Sequence, residues 1–141
     1  SRSIPVAFPR FVDVYKAAKV HESYGRIEDR RGATFRLTLQ KALASRSRLV
    51  QIATWNDWGE GTVIEPSREY GFRDLEVVQS LRRKHIDPSF EPSAADLRLP
   101  RRLFDRRRRA SRPEQHRELD RVAGWISSGQ RSRARSVLAV D

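Results

Sequence analysis

Apolar residues in the first 97 positions fall into two patterns, short continuous runs and steps of three or four. Residues 4–8 (Ile4-Pro5-Val6-Ala7-Phe8) and residues 49–54 are continuous runs, which predict two buried strands. Between them Phe35, Leu39, Ala42 and Leu43 recur at helical spacing, with Leu37 widening the face. They predict a helix over 34–45, capped by Thr34. Leu75, Val78 and Leu81 predict a second helix over 72–84. Residues 11–20 follow neither period, and residues 21–32 read as a polar, glycine-containing loop. Strand, helix, strand, helix in that order describes two successive units of a parallel α/β fold. Two parallel strands need cover on both faces and both edges, so their partners are expected from an upstream part of the polypeptide or from another chain.

Beyond residue 87 the pattern changes. Pro88, Pro92 and Pro100 predict an irregular connector over 88–112. Pro113 then opens two helices, 114–127 and 130–140, separated near Gly129. Leu119, Val122, Ala123 and Ile126 form one apolar stripe, and Ala134, Val137 and Leu138 the other. The expected organisation is therefore three segments, 1–87, 88–112 and a helical tail over 113–141.

Charge sharpens that division. Residues 1–97 hold 16 basic and 13 acidic side chains, whereas 98–135 hold 13 basic and 4 acidic, so the tail creates most of the net +11. A basic surface can bind nucleic acid by neutralising phosphates. Here the tail lacks glycine–arginine repeats or a lysine run, and arginine outnumbers lysine by 25 to 4 over the whole chain. A solvated helical surface is the simpler reading, and a nucleic-acid partner is not expected. There are no cysteines, and His21, His85 and His116 are scattered, so no metal site and no cofactor are expected. No run approaches the roughly 20 apolar residues of a membrane span. The chain begins Ser1-Arg2-Ser3 and contains no methionine, which suggests the C-terminal piece of a longer polypeptide. Localisation stays open, with a periplasmic or secreted setting compatible.

Chemistry concentrates where the second strand ends. The loop over 55–69 carries Asp57 and Glu60 three residues apart, beside Trp55 and Trp58. Paired carboxylates can protonate a glycosidic oxygen and activate a nucleophile, and indole faces stack on sugars. Asn56 can bond a substrate hydroxyl or make an Asx turn. One of the two tryptophans is expected to fill core space. Gly59 and Gly61 are expected to permit positive φ or close approach. Glu65-Pro66 fixes the loop exit, and Tyr70 and Arg68 lie within plausible reach of a substrate. A pair of solvated loop carboxylates would give the same spacing.

The segment Thr54-Trp55-Asn56-Asp57-Trp58-Gly59-Glu60-Gly61-Thr62-Val63-Ile64-Glu65-Pro66 resembles the signature of the glycoside hydrolase 71/99-like clan. That group includes fungal α-1,3-glucanases, endo-α-mannosidases, endo-α-mannanases, domains found beside glycan-biosynthesis enzymes, and bacterial proteins often called xylosidase/arabinosidase. Phe8-Pro9-Arg10-Phe11, Tyr24-Gly25-Arg26-Ile27-Glu28-Asp29-Arg30 and Tyr70-Gly71-Phe72-Arg73-Asp74-Leu75-Glu76 also resemble the bacterial members, so the resemblance covers about residues 4–85.

The resemblance implies the C-terminal part of a (β/α)8 TIM barrel, the last two βα units, followed by the α-helical tail. A whole barrel takes about 250 residues, so it also implies a missing upstream barrel segment. Asp57 then falls on the first catalytic carboxylate and Glu60 on the general acid/base, with Trp55, Asn56, Trp58 and Tyr70 toward a polysaccharide or oligosaccharide substrate. The isolated chain is expected to be inactive. Two positions depart from the pattern. Asp57 is one methylene shorter than the glutamate of the mannosidase branch, as in the glucanase branch, and Arg10 stands where bacterial relatives place glycine. A non-hydrolytic glycan-binding or glycan-assembly protein would carry the same residues.

Overall fold

The computed structural model describes residues 3–139, in two compact units, Ser1–Phe90 and Glu91–Asp141. The first contains, in order, β1 (Val6–Ala7), β2 (Phe11–Val12), β3 (Arg26–Ile27), α1 (Ala33–Ala44), β4 (Gln51–Ile52) and α2 (Arg73–His85). β1 and β4 pair in parallel, Val6 opposite Gln51 and Ala7 opposite Ile52, with α1 in the crossover. β2 and β3 pair antiparallel, Phe11 opposite Ile27.

The strands are shorter than the apolar runs over 4–8 and 49–54. Their ladder is carried by Gln51 N–H to the Pro5 carbonyl at 3.0 Å and Ala53 N–H to the Ala7 carbonyl at 2.9 Å. Pro5 has no N–H with which to extend it.

Ala7, Phe35, Leu39, Ala42, Ile64, Val77 and Leu81 form the core of this unit. α1 spans almost the expected residues, but Leu37 does not widen its buried face; it is half exposed. Thr34 does not cap it either. Gly32 holds the cap position, the Asp29 carboxylate accepts the Gly32 N–H, and the Thr34 hydroxyl donates to the Glu28 carbonyl. On α2 the buried positions are Asp74, Val77, Gln79 and Leu81, with Leu75 and Val78 packed half-buried at the edge.

The second unit is a three-helix arrangement: α3 (Leu99–Arg109), α4 (Pro113–Ser127) and α5 (Arg131–Leu138). The expectation of an irregular connector over 88–112 is corrected by α3. Pro100 occupies its first turn, where the absent N–H breaks no intrahelical bond. Leu99 and Leu103, one helical turn apart, enter a core with Leu119, Val122, Ala134 and Leu138. The helix expected over 130–140 ends at Leu138; Val140 lies outside the described residues.

Many arginines of this unit are tied to its own carboxylates: Arg101 to Asp105 and Arg107 to Asp120, Arg131 to Glu91 and Arg135 to Asp96. Among the described residues, no helix is long and apolar enough to cross a membrane, and no group of three His, Asp or Glu side chains could hold a metal ion.

Candidate functional site

The loop leaving β4 is folded back on itself before it reaches α2. Thr54 N–H donates to the Thr62 carbonyl at 2.8 Å, and Glu65 N–H to the Trp55 carbonyl at 2.9 Å, so residues 55–62 form a closed protrusion. The peptide bond between Ala53 and Thr54 is cis. Inside the protrusion a chain of side-chain bonds sets the turn. The Thr54 and Thr62 hydroxyls lie 3.0 Å apart, Asp57 N–H donates to Thr54 Oγ1 at 3.0 Å, and Glu60 N–H donates to Asp57 Oδ1 at 3.0 Å. Asp57, rather than Asn56, therefore makes the Asx-type turn.

Asp57 and Glu60 are thus brought together on one tight turn, and each is partly buried. Trp55 and Trp58 flank them at 51% and 56% exposure, so neither indole fills the core as expected of one of them. Asn56 is exposed in the same protrusion. The structure brings five of the six sequence-predicted site residues onto this loop.

The sixth, Tyr70, follows the closed protrusion in the chain and packs on Arg10. Its ring lies 3.6 Å from the Arg10 guanidinium carbon, over a buried ion cluster. Arg10 reaches Asp29, Asp74 and the Val63 carbonyl (2.6 Å), while Arg73 binds Asp29 at 2.5 Å. Burial raises the Tyr70 hydroxyl above its ordinary pKa, helped by a hydrogen bond to Glu69 and opposed by Arg10. Arg68 is exposed. The three shorter segments of the resemblance, around Arg10, Asp29 and Arg73-Asp74, all meet at this cluster.

Sequence reasoning left residues 11–20 unassigned, yet this segment clamps the acidic loop from the other side. Val12 N–H donates to the Glu60 carbonyl at 2.8 Å and Val14 N–H to the Gly59 carbonyl at 3.2 Å. The Tyr15 ring lies against Gly59, where an added Cβ would stand 2.5 Å from its hydroxyl oxygen. Gly61 has φ +65° and an added Cβ there would meet Val12 at 3.1 Å.

Replacing Gly61 with alanine combines left-handed strain with that contact, so a loss of about 1–2 kcal/mol is expected. Thermal unfolding of the variant measures it, and an unchanged midpoint would contradict the clamp.

Asp13 fastens this segment, Oδ1 accepting from Tyr15 N–H and Oδ2 from Tyr24 N–H, both at 2.8 Å. The Tyr24 bond holds the Asp13 carboxyl below its ordinary 3.8, opposed by desolvation and assisted by the Tyr15 N–H and His21. A carboxyl depressed in the folded state stabilises fully above its unfolded value, and the contribution fades as pH falls below 3.8 and through the folded value. The Tyr15 and Tyr24 amide resonances are therefore expected to shift together on acidification in that range. In Asp13→Asn that shared titration should be absent.

Paired carboxylates can serve glycosidic acid–base chemistry, and exposed indoles can stack on sugar faces. One comparison with known proteins points to glycans. Residues 19–78, which include the entire acidic loop, match the model of a family described as Glycosyltransferase WbsX. The match supports a glycan-related function for the chain. No curated protein and no solved structure matches it.

Proposed function

We propose that the acidic loop is the catalytic edge of a glycosidase acting on an α-linked polysaccharide, with the Ser1–Phe90 unit forming the last two strand–helix units of a (β/α)8 barrel. The observation that carries this reading is the Asp57–Glu60 turn, rigidly bonded and flanked by two half-exposed indoles at the carboxyl end of β4. Barrel enzymes place their chemistry at that end of the strands. The parallel β1–β4 pair and the exposure of Ile4, Val6 and Leu49 beside it suit a sheet completed by an upstream barrel segment.

Glu60, protonated, donates to the glycosidic oxygen as the bond to the anomeric carbon breaks. Asp57 accepts a proton from the attacking water or from a sugar hydroxyl that assists it. One oxygen of Asp57 is held by the Glu60 N–H, which leaves the other to take the proton.

A second reading, glycan assembly without hydrolysis, is favoured by the glycosyltransferase description of the matching family. New reducing ends are counted after the protein containing this chain is incubated with α-mannan, α-1,3-glucan, xylan or arabinan, with calorimetry on the same polymers. Release from one of them is the expected result and names the substrate class. Binding without release turns the reading to assembly or binding, and neither binding nor release overturns both.

A further inference from the structure

Among the described residues of the Ser1–Phe90 unit, the exposed tyrosine and tryptophan side chains are Tyr15, Tyr24, Trp55 and Trp58, and all four lie on two loops that touch each other. Two belong to the acidic loop. The others belong to residues 13–24, where three rings stand in sequence: Tyr15 and His21 with centroids 5.1 Å apart, then His21 and Tyr24 at 4.5 Å. The row starts against Gly59, next to Glu60, and ends at Tyr24, which is 77% exposed.

Single exposed aromatics are ordinary, but a row of rings tilted by 37° and 30° on one another and tied at both ends by one carboxylate is a preset surface. Asp13 fixes the backbone at Tyr15 and Tyr24 together, and the Val20 N–H closes the intervening turn on the Tyr15 carbonyl at 3.0 Å. Little ordering would remain for a ligand to impose, which favours affinity.

We infer that Tyr15, His21 and Tyr24 form a second saccharide subsite beside the acidic loop, the free face of Tyr24 taking the apolar face of a pyranose ring one or more units from the reacting bond. The inference rests on the glycan reading above. It gives the site a direction: the substrate runs from the Trp58–Glu60 turn across Tyr15 toward Tyr24, so the ligand is an oligomer rather than a single sugar.

The test uses calorimetry on the protein containing this chain, with oligosaccharides of two to six units prepared from α-mannan, α-1,3-glucan, xylan and arabinan. Wild type is compared with Tyr24→Ala, Tyr24→Trp and Glu60→Gln. Tyr24→Ala is expected to weaken binding of the longer oligomers about tenfold and leave the disaccharide unchanged, while Tyr24→Trp binds like wild type. Equal binding of every length by Tyr24→Ala overturns the subsite, as does an equal loss in Tyr24→Trp or a failure of every oligomer to bind.

Sugar release separates this inference from the hydrolase reading. A length-dependent loss in Tyr24→Ala with no hydrolysis by wild type keeps the subsite and removes the hydrolase. Hydrolysis that vanishes in Glu60→Gln while Tyr24→Ala binds normally does the reverse.

Discussion

Glu60→Gln is expected to reduce sugar release by the protein containing this chain by about 10²–10⁴-fold, the range for loss of a general acid. Glutamine has nearly the same shape and cannot supply the proton. The turn should survive the change, because Glu60 is held through its backbone: its N–H donates to Asp57 Oδ1 and its carbonyl accepts from Val12 N–H. A circular dichroism melt identical to wild type, beside lost release of reducing ends, is the anticipated pair of results. Release that persists would place the acid at another residue. Asp57 behaves differently, because its carboxylate is also structural. Asp57→Asn keeps an oxygen for the Glu60 N–H, whereas Asp57→Ala removes it and should cost about 1 kcal/mol in addition to any loss of activity.

The second large effect is on stability, at Arg10. Its side chain is 1% exposed and serves Asp29, Asp74 and the Val63 carbonyl at once. Asp74 is 3% exposed, and its Oδ1 has no hydrogen-bond partner even in the intact protein. Arg10→Met would leave that carboxylate buried with its main counter-charge gone, and a loss of about 3–5 kcal/mol is expected from a broken buried pair. Arg73 remains with both acids, at 2.5 Å from Asp29 but 3.7 Å from Asp74, so the damage should centre on Asp74.

Adding Asp74→Leu to Arg10→Met removes the weakly paired charge and should recover much of the loss, since an apolar pair of similar volume often substitutes well for a buried ion pair. Denaturant midpoints for the two single variants and the double give the coupling energy. A single variant within about 0.5 kcal/mol of wild type would mean that Arg10 is only a packed side chain.

The helices show how far local pattern reaches. Phe35, Leu39 and Ala42 on α1 are buried as their spacing predicts, because a helix of any context must bring positions three and four apart to one face. Leu37 shares their hydrophobicity and is exposed, since the space it faces is set by other segments. α3 was missed because Pro88, Pro92 and Pro100 read as punctuation; a proline in a first turn starts a helix as readily as it interrupts one.

At the site, the closeness of Asp57 and Glu60 was legible, because three residues on a turn cannot be far apart and an aspartate readily caps such a turn. That both tryptophans would be exposed was not legible. Indoles suit core and surface alike, and only the folding of the loop decides between them. Tyr70 was expected within reach of a substrate; that its ring would pack on Arg10, 60 residues away, was not legible.

Sequence alone determined the local geometry: where α1, α2, α4 and α5 form, and that two acids share one turn. These follow from periodicities and side-chain-to-backbone bonds within a few residues. Tertiary structure alone decided what supports that turn. The clamp by Val12 and Val14, the Tyr15–Gly59 contact and the Arg10 cluster join residues 19 to 64 positions apart along the chain. Such pairings depend on charge and shape meeting across loops, and no short-range rule encodes which distant residue will arrive.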